Sequence, residues 1–274
     1  MLTIKSEKNL IYHKEEKTHQ RTVIIYSDYG TSPASVSATK NELFRVFENK
    51  YQIILADKEY VNDYEWEIKT ELFVMPGGFT KPHYKNLSSA GNMKIKRFVE
   101  GGGKYLGICA GGYYGCSKTE FDANHPLEIL LNGPLDFYPG KAIGPAYGPN
   151  TYTYNSGKGM RAALISCSGD IDRKSTKIYF NGGCFFDEST IDSETENIRI
   201  LSRYLDLPNT PPAIISCQVG LGIAVLSGVH FEISPKHIGK EKDTDLSVLA
   251  VLENHENQRE KFFDFIINQM NISS

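Results

Sequence analysis

The sequence predicts an α/β fold with a mostly parallel central sheet. Short apolar, β-rich runs alternate with segments of helix length, and glycine- or proline-rich turns follow several of those runs. The run Lys104-Tyr105-Leu106-Gly107-Ile108 also leads straight into Cys109-Ala110-Gly111-Gly112, the pattern of a strand ending in a tight turn. Strands separated by helix-length segments favour parallel pairing through right-handed crossovers. Functional loops then gather at the carboxyl ends of the strands.

The opening run is Thr22 to Tyr26, followed by the turn-rich segment Ser27 to Pro33. Ser32 is placed to cap a helix with Pro33 at its first position, and Val36, Leu43 and Phe47 recur at helical spacing. Tyr51 to Ala56 and Glu71 to Met75 supply the next two strands, the latter ending in Pro76-Gly77-Gly78. A helix is expected from about Ser89 to Glu100, with Met93 and Phe98 among its apolar contacts. Gly101-Gly102-Gly103 then returns the chain to the Cys109 strand. Asp28 to Ser32, Pro76 to Phe79 and Cys109 to Gly112 therefore belong on one rim of the sheet.

From about Phe121 the texture changes to aromatic, glycine- and proline-rich sequence with little helical period, an insertion near 121–160. Strands are expected again at Arg161 to Cys167, Lys177 to Phe180, Ala213 to Cys217 and Gly222 to Leu226, several of them antiparallel. Leu246, Leu249, Leu252, Phe263, Ile266 and Met270 mark one or two amphipathic helices between Asp243 and Met270. The division expected is a polar extension over 1–20 and a single domain over 21–274.

The chain has 274 residues and a formal charge of −3, from 30 basic and 33 acidic side chains. No dense basic block suggests a nucleic-acid groove. Met1 to Gln20 lacks the apolar stretch of a signal peptide, and no run approaches the roughly 20 apolar residues that cross a bilayer. A cytoplasmic protein is expected. The five cysteines, at 109, 116, 167, 184 and 217, are odd in number and lack CxxC spacing, which speaks against a disulfide framework or a structural zinc site. Neither a metal nor an organic cofactor is expected.

Gly107-Ile108-Cys109-Ala110-Gly111 has the form of a nucleophile elbow, in which a strained turn lifts one reactive side chain off the end of a strand. About 120 residues later, the strand ending at Gly228 presents His230 and Glu232 two positions apart. If that segment stays extended, both side chains share one face. The imidazole could then face Cys109, with Glu232 orienting the ring. Cys116 follows the elbow by seven residues, reads as part of a helix, and is assigned a structural role.

These motifs, with Pro76-Gly77-Gly78, resemble the three signature regions of class I glutamine amidotransferase-like domains. More closely, Cys109 to Gly115, Phe137-Tyr138-Pro139-Gly140, Gly144-Pro145-Ala146-Tyr147 and Tyr179-Phe180-Asn181-Gly182-Gly183 resemble the amidotransferase-like N-terminal domain of large eukaryotic biotin protein ligases. The resemblance runs from about Arg21 to the C-terminal helix. It implies a class I glutamine amidotransferase-like (flavodoxin-like) three-layer sandwich carrying a Cys109, His230, Glu232 triad. It does not imply biotin ligation, since no Gly-Arg-Gly-Arg segment is present. Where the familiar motif has His-Pro-Glu, this sequence has Phe231, which relaxes a backbone restraint.

The resemblance further implies an oxyanion hole formed by the backbone N–H groups of Gly78 and Ala110. Gly77 belongs to the same turn, and Asp28, Tyr29 and Tyr113 are candidates to line the pocket. Asp28 could equally cap its own turn, and the tyrosines could cover an apolar edge. Two functions follow. One is a stand-alone cysteine hydrolase acting on an amide or small acyl substrate, such as glutamine. The other is a catalytically silent binding or regulatory module, working beside a separate biotin ligase or another protein partner.

Overall fold

The computed structural model describes residues 21–167, 174–190, 197–238 and 243–272; the polar extension at 1–20 lies outside them. The β-rich opening run forms β1 (Thr22–Tyr26), and Ser32 caps α1 (Pro33–Phe47), its hydroxyl accepting from the Ser35 N–H. β2 (Gln52–Ala56), α2 (Lys58–Asp63) and β3 (Thr70–Met75) follow. Next come α3 (Thr80–Asn86), α4 (Ser89–Glu100), β4 (Lys104–Ile108) and the short α5 (Ala110–Tyr114). Phe98 is buried as expected, whereas Met93 is 47% exposed.

The chain then forms β5 (Cys116–Phe121), β6 (Ile129–Asn132), β7 (Tyr138–Gly144), β8 (Arg161–Ser166), β9 (Ser175–Phe180) and β10 (Phe185–Asp187). β11 (Ile198–Arg203), β12 (Pro212–Val219) and β13 (Gly222–Ser227) precede α6 (Leu246–Glu253) and α7 (Glu256–Gln269). Cys116 opens a strand, contrary to its expected place in a helix. The helix ends at Tyr114 with Gly115 as its cap, packed so closely on Leu226 that a β-carbon there would lie 2.4 Å from a methyl carbon.

The main sheet has the order β11-β12-β13-β4-β3-β1-β2. β13, β4, β3, β1 and β2 pair in parallel, whereas β12 and β11 add an antiparallel edge. Alternation along β1 shows how both faces are filled. Val23 and Ile25 pack with Val36, Leu43 and Phe47 of α1 and Phe262, Phe263 and Ile266 of α7. Ile24 and Tyr26 face Val61 of α2 and Ile95, Phe98 and Val99 of α4. Each such side chain, fully buried, contributes about 1.5–3 kcal/mol.

The aromatic, glycine-rich middle of the chain contributes strands instead of helices. β10-β7-β5-β6 make a second sheet, and β8-β9 form an antiparallel pair. Because β1, β3, β4 and β13 run in parallel, their carboxyl ends place the loops after Tyr26, Met75, Ile108 and Ser227 on one rim. The bridge between Tyr179 and His230 brings the end of β9 to the same place.

Candidate active site

Cys109 sits at the turn between β4 and α5 with φ 51° and ψ −104°, a left-handed backbone that a side-chain-bearing residue rarely adopts. Such a conformation costs about 1–3 kcal/mol and persists only where its surroundings enforce it. Here the Cys109 N–H donates to the Ser227 carbonyl at 2.8 Å, and the Cys109 carbonyl accepts from the Tyr113 N–H at 3.0 Å. The flanking glycines are required sterically. A β-carbon at Gly107 would lie 2.3 Å from the Gly111 carbonyl oxygen, and one at Gly111 would lie 1.9 Å from that of Met75.

The histidine arrives by a different geometry from the extended one expected. His230 bridges Tyr179, its N–H donating to the Tyr179 carbonyl at 2.9 Å, and the chain then turns through Phe231 and Glu232. That turn, closed by the Ile233 N–H on the His230 carbonyl, folds the carboxylate back onto the ring. Nδ1 of His230 lies 2.8 Å from Oε1 of Glu232, which leaves Nε2 uncommitted on a ring that lines the same cavity as Cys109. The structure thus brings Cys109, His230 and Glu232 into one cluster.

Two supporting residues escaped the sequence reading. The Ser35 hydroxyl donates to Glu232 Oε1 at 2.7 Å and accepts from the Gly77 N–H at 3.0 Å, tying the carboxylate to the Gly77-Gly78 turn. Arg259 of α7, 3% exposed, donates to the Phe231 carbonyl at 2.9 Å and to Glu42 at 2.7 Å. Phe231 is fully buried, with its ring centroid 5.5 Å from that of Phe263. Packing and one carbonyl bond therefore hold the backbone that a proline would have restrained. Neither Ser35 nor Arg259 belongs to a local sequence pattern that marks it, because the partners of both lie far along the chain.

Burial disfavours a charged His230, but the Glu232 carboxylate and then Cys109 outweigh it, and the imidazole pKa is pushed up to about 10. Oε2 of Glu232 finds no partner among the described residues, so the neighbouring imidazolium is what balances this buried charge. Burial pushes the thiols of Cys116, Cys184 and Cys217 far up and that of half-buried Cys167 to about 11.

Cys109 and His230 line a cavity of about 400 Å³ with Asp28, Tyr29, Gly78, Tyr152 and Asn181. Asp28 is on its wall, but its carboxylate is committed to the N–H groups of Tyr29 and Lys58, so it braces the loop. Tyr29, 76% exposed, stands at the rim. Gly77 packs behind the cavity against the His230 ring, 2.4 Å from Cε1 for an added β-carbon. Tyr113 is buried, its hydroxyl donating to the Gly182 carbonyl at 3.1 Å, and it does not line the main cavity. Instead it borders a small hollow of about 20 Å³ beside Cys109, together with Gly78 and Ala110. Tyr152, Asn155 and Ser156, from the segment expected as an insertion, complete the walls with Tyr179 at the end of β9.

The fold and the site define a class: a mixed α/β protein with a large, mostly parallel sheet and a thiol, imidazole and carboxylate clustered at its carboxyl rim. Residues 21–274 match the family described as biotin-protein ligase, N terminal, and the chain belongs to that family. An uncharacterized protein of Chlamydia muridarum is 35% identical over 227 residues, 82% of this chain and 85% of that one. The biotin–protein ligase of Schizosaccharomyces pombe is 34% identical over 215 residues, which are 77% of this chain and 33% of the ligase. Among solved structures, a ThuA-like protein from Bacteroides uniformis ATCC 8492 covers 91% of this chain and 94% of its own at 8% identity and a TM-score of 0.48, too distant to assign a fold family. Among the described residues, no helix is long and apolar enough to cross a membrane.

Proposed function

We propose that this biotin-ligase-related module carries a cysteine-dependent site for an amide or small acyl substrate, arranged as in class I glutamine amidotransferase-like proteins. The observation that carries the reading is the strained Cys109 turn, set against a His230 ring that Glu232 holds and charges. In this reading the Cys109 sulfur attacks the substrate carbonyl carbon, forming a C–S bond while the carbonyl π pair moves onto oxygen. Gly78 and Ala110 N–H groups, bordering the hollow at Cys109, steady that oxyanion. His230 gives its proton to the leaving nitrogen as the C–N bond breaks, then takes one from the water that hydrolyses the thioester. Glutamine is the simplest such amide, with ammonia leaving.

The family relationship lends more support to a second reading, a catalytically silent binding or regulatory module that acts with a biotin ligase. Here the elbow is kept for pocket shape. One experiment separates the two: intact-mass analysis of wild type and Cys109→Ser after incubation with glutamine, glutamine analogues and peptide amides. An acyl adduct on wild type alone supports the catalytic reading. Turnover no faster than the enzyme-free reaction, with ligase or ligand binding unchanged in Cys109→Ser, supports the silent one. A cytoplasmic setting belongs to either proposal.

A further inference from the structure

The two edges of the main sheet are built differently. β11, at one end, carries Arg199 and Arg203 and shifts register twice against β12, and charges and bulges of this kind are how an edge strand resists pairing. β2, at the other end, reads Gln52-Ile53-Ile54-Leu55-Ala56, without a charge or a proline, and follows β1 residue for residue with no shift. Leu55 is 44% exposed. An open, uncharged edge invites another strand.

The ladder fixes which backbone groups face outward. The Gln52 N–H donates to the Arg21 carbonyl at 3.0 Å, and the Ala56 carbonyl accepts from the Ser27 N–H at 2.8 Å. Backbone groups alternate along a strand, so Gln52, Ile54 and Ala56 turn theirs toward β1, and Ile53 and Leu55 turn theirs away from it. Among the described residues none pairs with that outer side. Ile53 and Leu55 share the face covered by α1, where Ile53 packs on the core and Leu55 lines a groove of about 450 Å³ with Val36, Ser37 and Lys40. Phe44, 57% exposed, continues the Ser37, Lys40 stripe of α1 toward Phe47, whose ring lies 4.8 Å from that of Tyr51. Phe44 therefore stands beside the amino-terminal half of β2, and the groove beside its carboxyl-terminal half.

We infer that β2 is the docking edge for a second copy of this chain, paired antiparallel about a twofold axis at Ile54, so that the two main sheets continue into one. In that register Ile53 of each copy faces Leu55 of the other, and the outward N–H and C=O groups of both satisfy one another. The same axis carries Phe44 of each copy to the groove beside Leu55 of the other, an apolar knob over an apolar hollow. The edge thus complements itself in hydrogen bonds and in shape, which is what selects a second copy as its occupant. Such an isologous contact closes on itself and stops at a dimer.

The test begins with sedimentation velocity on the full chain at about 100 µM, where a species of twice the chain mass is expected. Leu55→Lys and Phe44→Glu each put a charge into the contact from both sides and should raise the dissociation constant at least about tenfold. Both side chains are exposed in the single chain, so circular dichroism should show the fold unchanged. Leu55→Pro separates strand pairing from plain apolar contact, since it removes only an outward N–H, and it too should weaken the dimer. Ile54→Cys reads the register: its two copies form a non-hydrogen-bonded pair with Cα atoms about 4.5 Å apart, so mild oxidation should give a reducible crosslink absent from wild type. A wild-type monomer overturns the inference and leaves the edge to a segment of this chain or to a different protein. A dimer that none of Leu55→Lys, Phe44→Glu and Leu55→Pro weakens overturns it too, as does a folded Ile54→Cys that fails to crosslink.

Discussion

Cys109 differs from the other four thiols in having both a cationic neighbour and a cavity to face. Thiolate, the reactive species, is favoured beside a positive charge and disfavoured in apolar burial. Limited iodoacetamide at neutral pH is therefore expected to label Cys109 first, with Cys116, Cys184 and Cys217 protected until unfolding; peptide mapping by mass spectrometry reads the order. Ser35 is the second residue on which the site turns, since one hydroxyl serves both Glu232 and Gly77. Ser35→Ala should cost about 1–3 kcal/mol in a denaturant melt. It should also slow Cys109 labelling severalfold, whereas an exposed helix serine would leave both measurements unchanged. Cys109, His230 and Glu232 could be named from sequence because a reactive type sits there in a recognisable local pattern. Ser35 could not, since its partner Glu232 is 197 positions away.

At the level of elements, the elbow is a strand, a turn and one helical turn, compressed until only glycine fits at Gly107 and Gly111. Gly111→Ala forces a β-carbon onto the Met75 carbonyl and should destabilise by about 3 kcal/mol or more, read as a lowered melting temperature. The other essential element is α7, which supports the His230 turn from outside the rim. Arg259→Leu removes the donor to the Phe231 carbonyl and one of two cations on Glu42, the second being Arg45 at 2.8 Å. Since Glu42 keeps that partner, the expected cost is about 2–3 kcal/mol, below that of a fully orphaned buried charge, and equilibrium unfolding measures it. Strand and helix positions in the first half of the chain were legible because caps and apolar spacing act over a few residues. The turn at Phe231-Glu232 was not, because its path depends on α7 arriving beneath it.

For the whole molecule, the paired His230 and Glu232 couple stability to pH. The His230 pKa is raised on folding, so its contribution is fully present below the unfolded value near 6.5 and is lost as pH rises through about 10. Unfolding free energies of wild type and His230→Gln, compared at pH 6 and pH 10, should differ more at the lower pH; an equal difference at both would contradict the charged pair. The pocket too is a property of the assembled molecule. Its floor comes from the rim of the parallel sheet and its walls from Tyr152, Asn155 and Ser156, which local pattern marked only as aromatic and turn-rich sequence, and from Asn181 of the Tyr179 to Gly183 motif.

The sequence by itself determined the parallel β-rich core, the cap of α1, the elbow with its obligatory glycines and the identity of the thiol, imidazole and carboxylate. Sterics, capping and side-chain periodicity act between near neighbours, and near neighbours are what a sequence displays. The tertiary structure alone decided that Glu232 reaches His230 through a turn, that Ser35 and Arg259 hold that turn, that Tyr113 lies behind the cavity, and that the Asn181 backbone carbonyl comes up to the Cys109 sulfur. Each of those depends on segments far apart in the chain closing on one another, and that closure is set by the packing of the whole core.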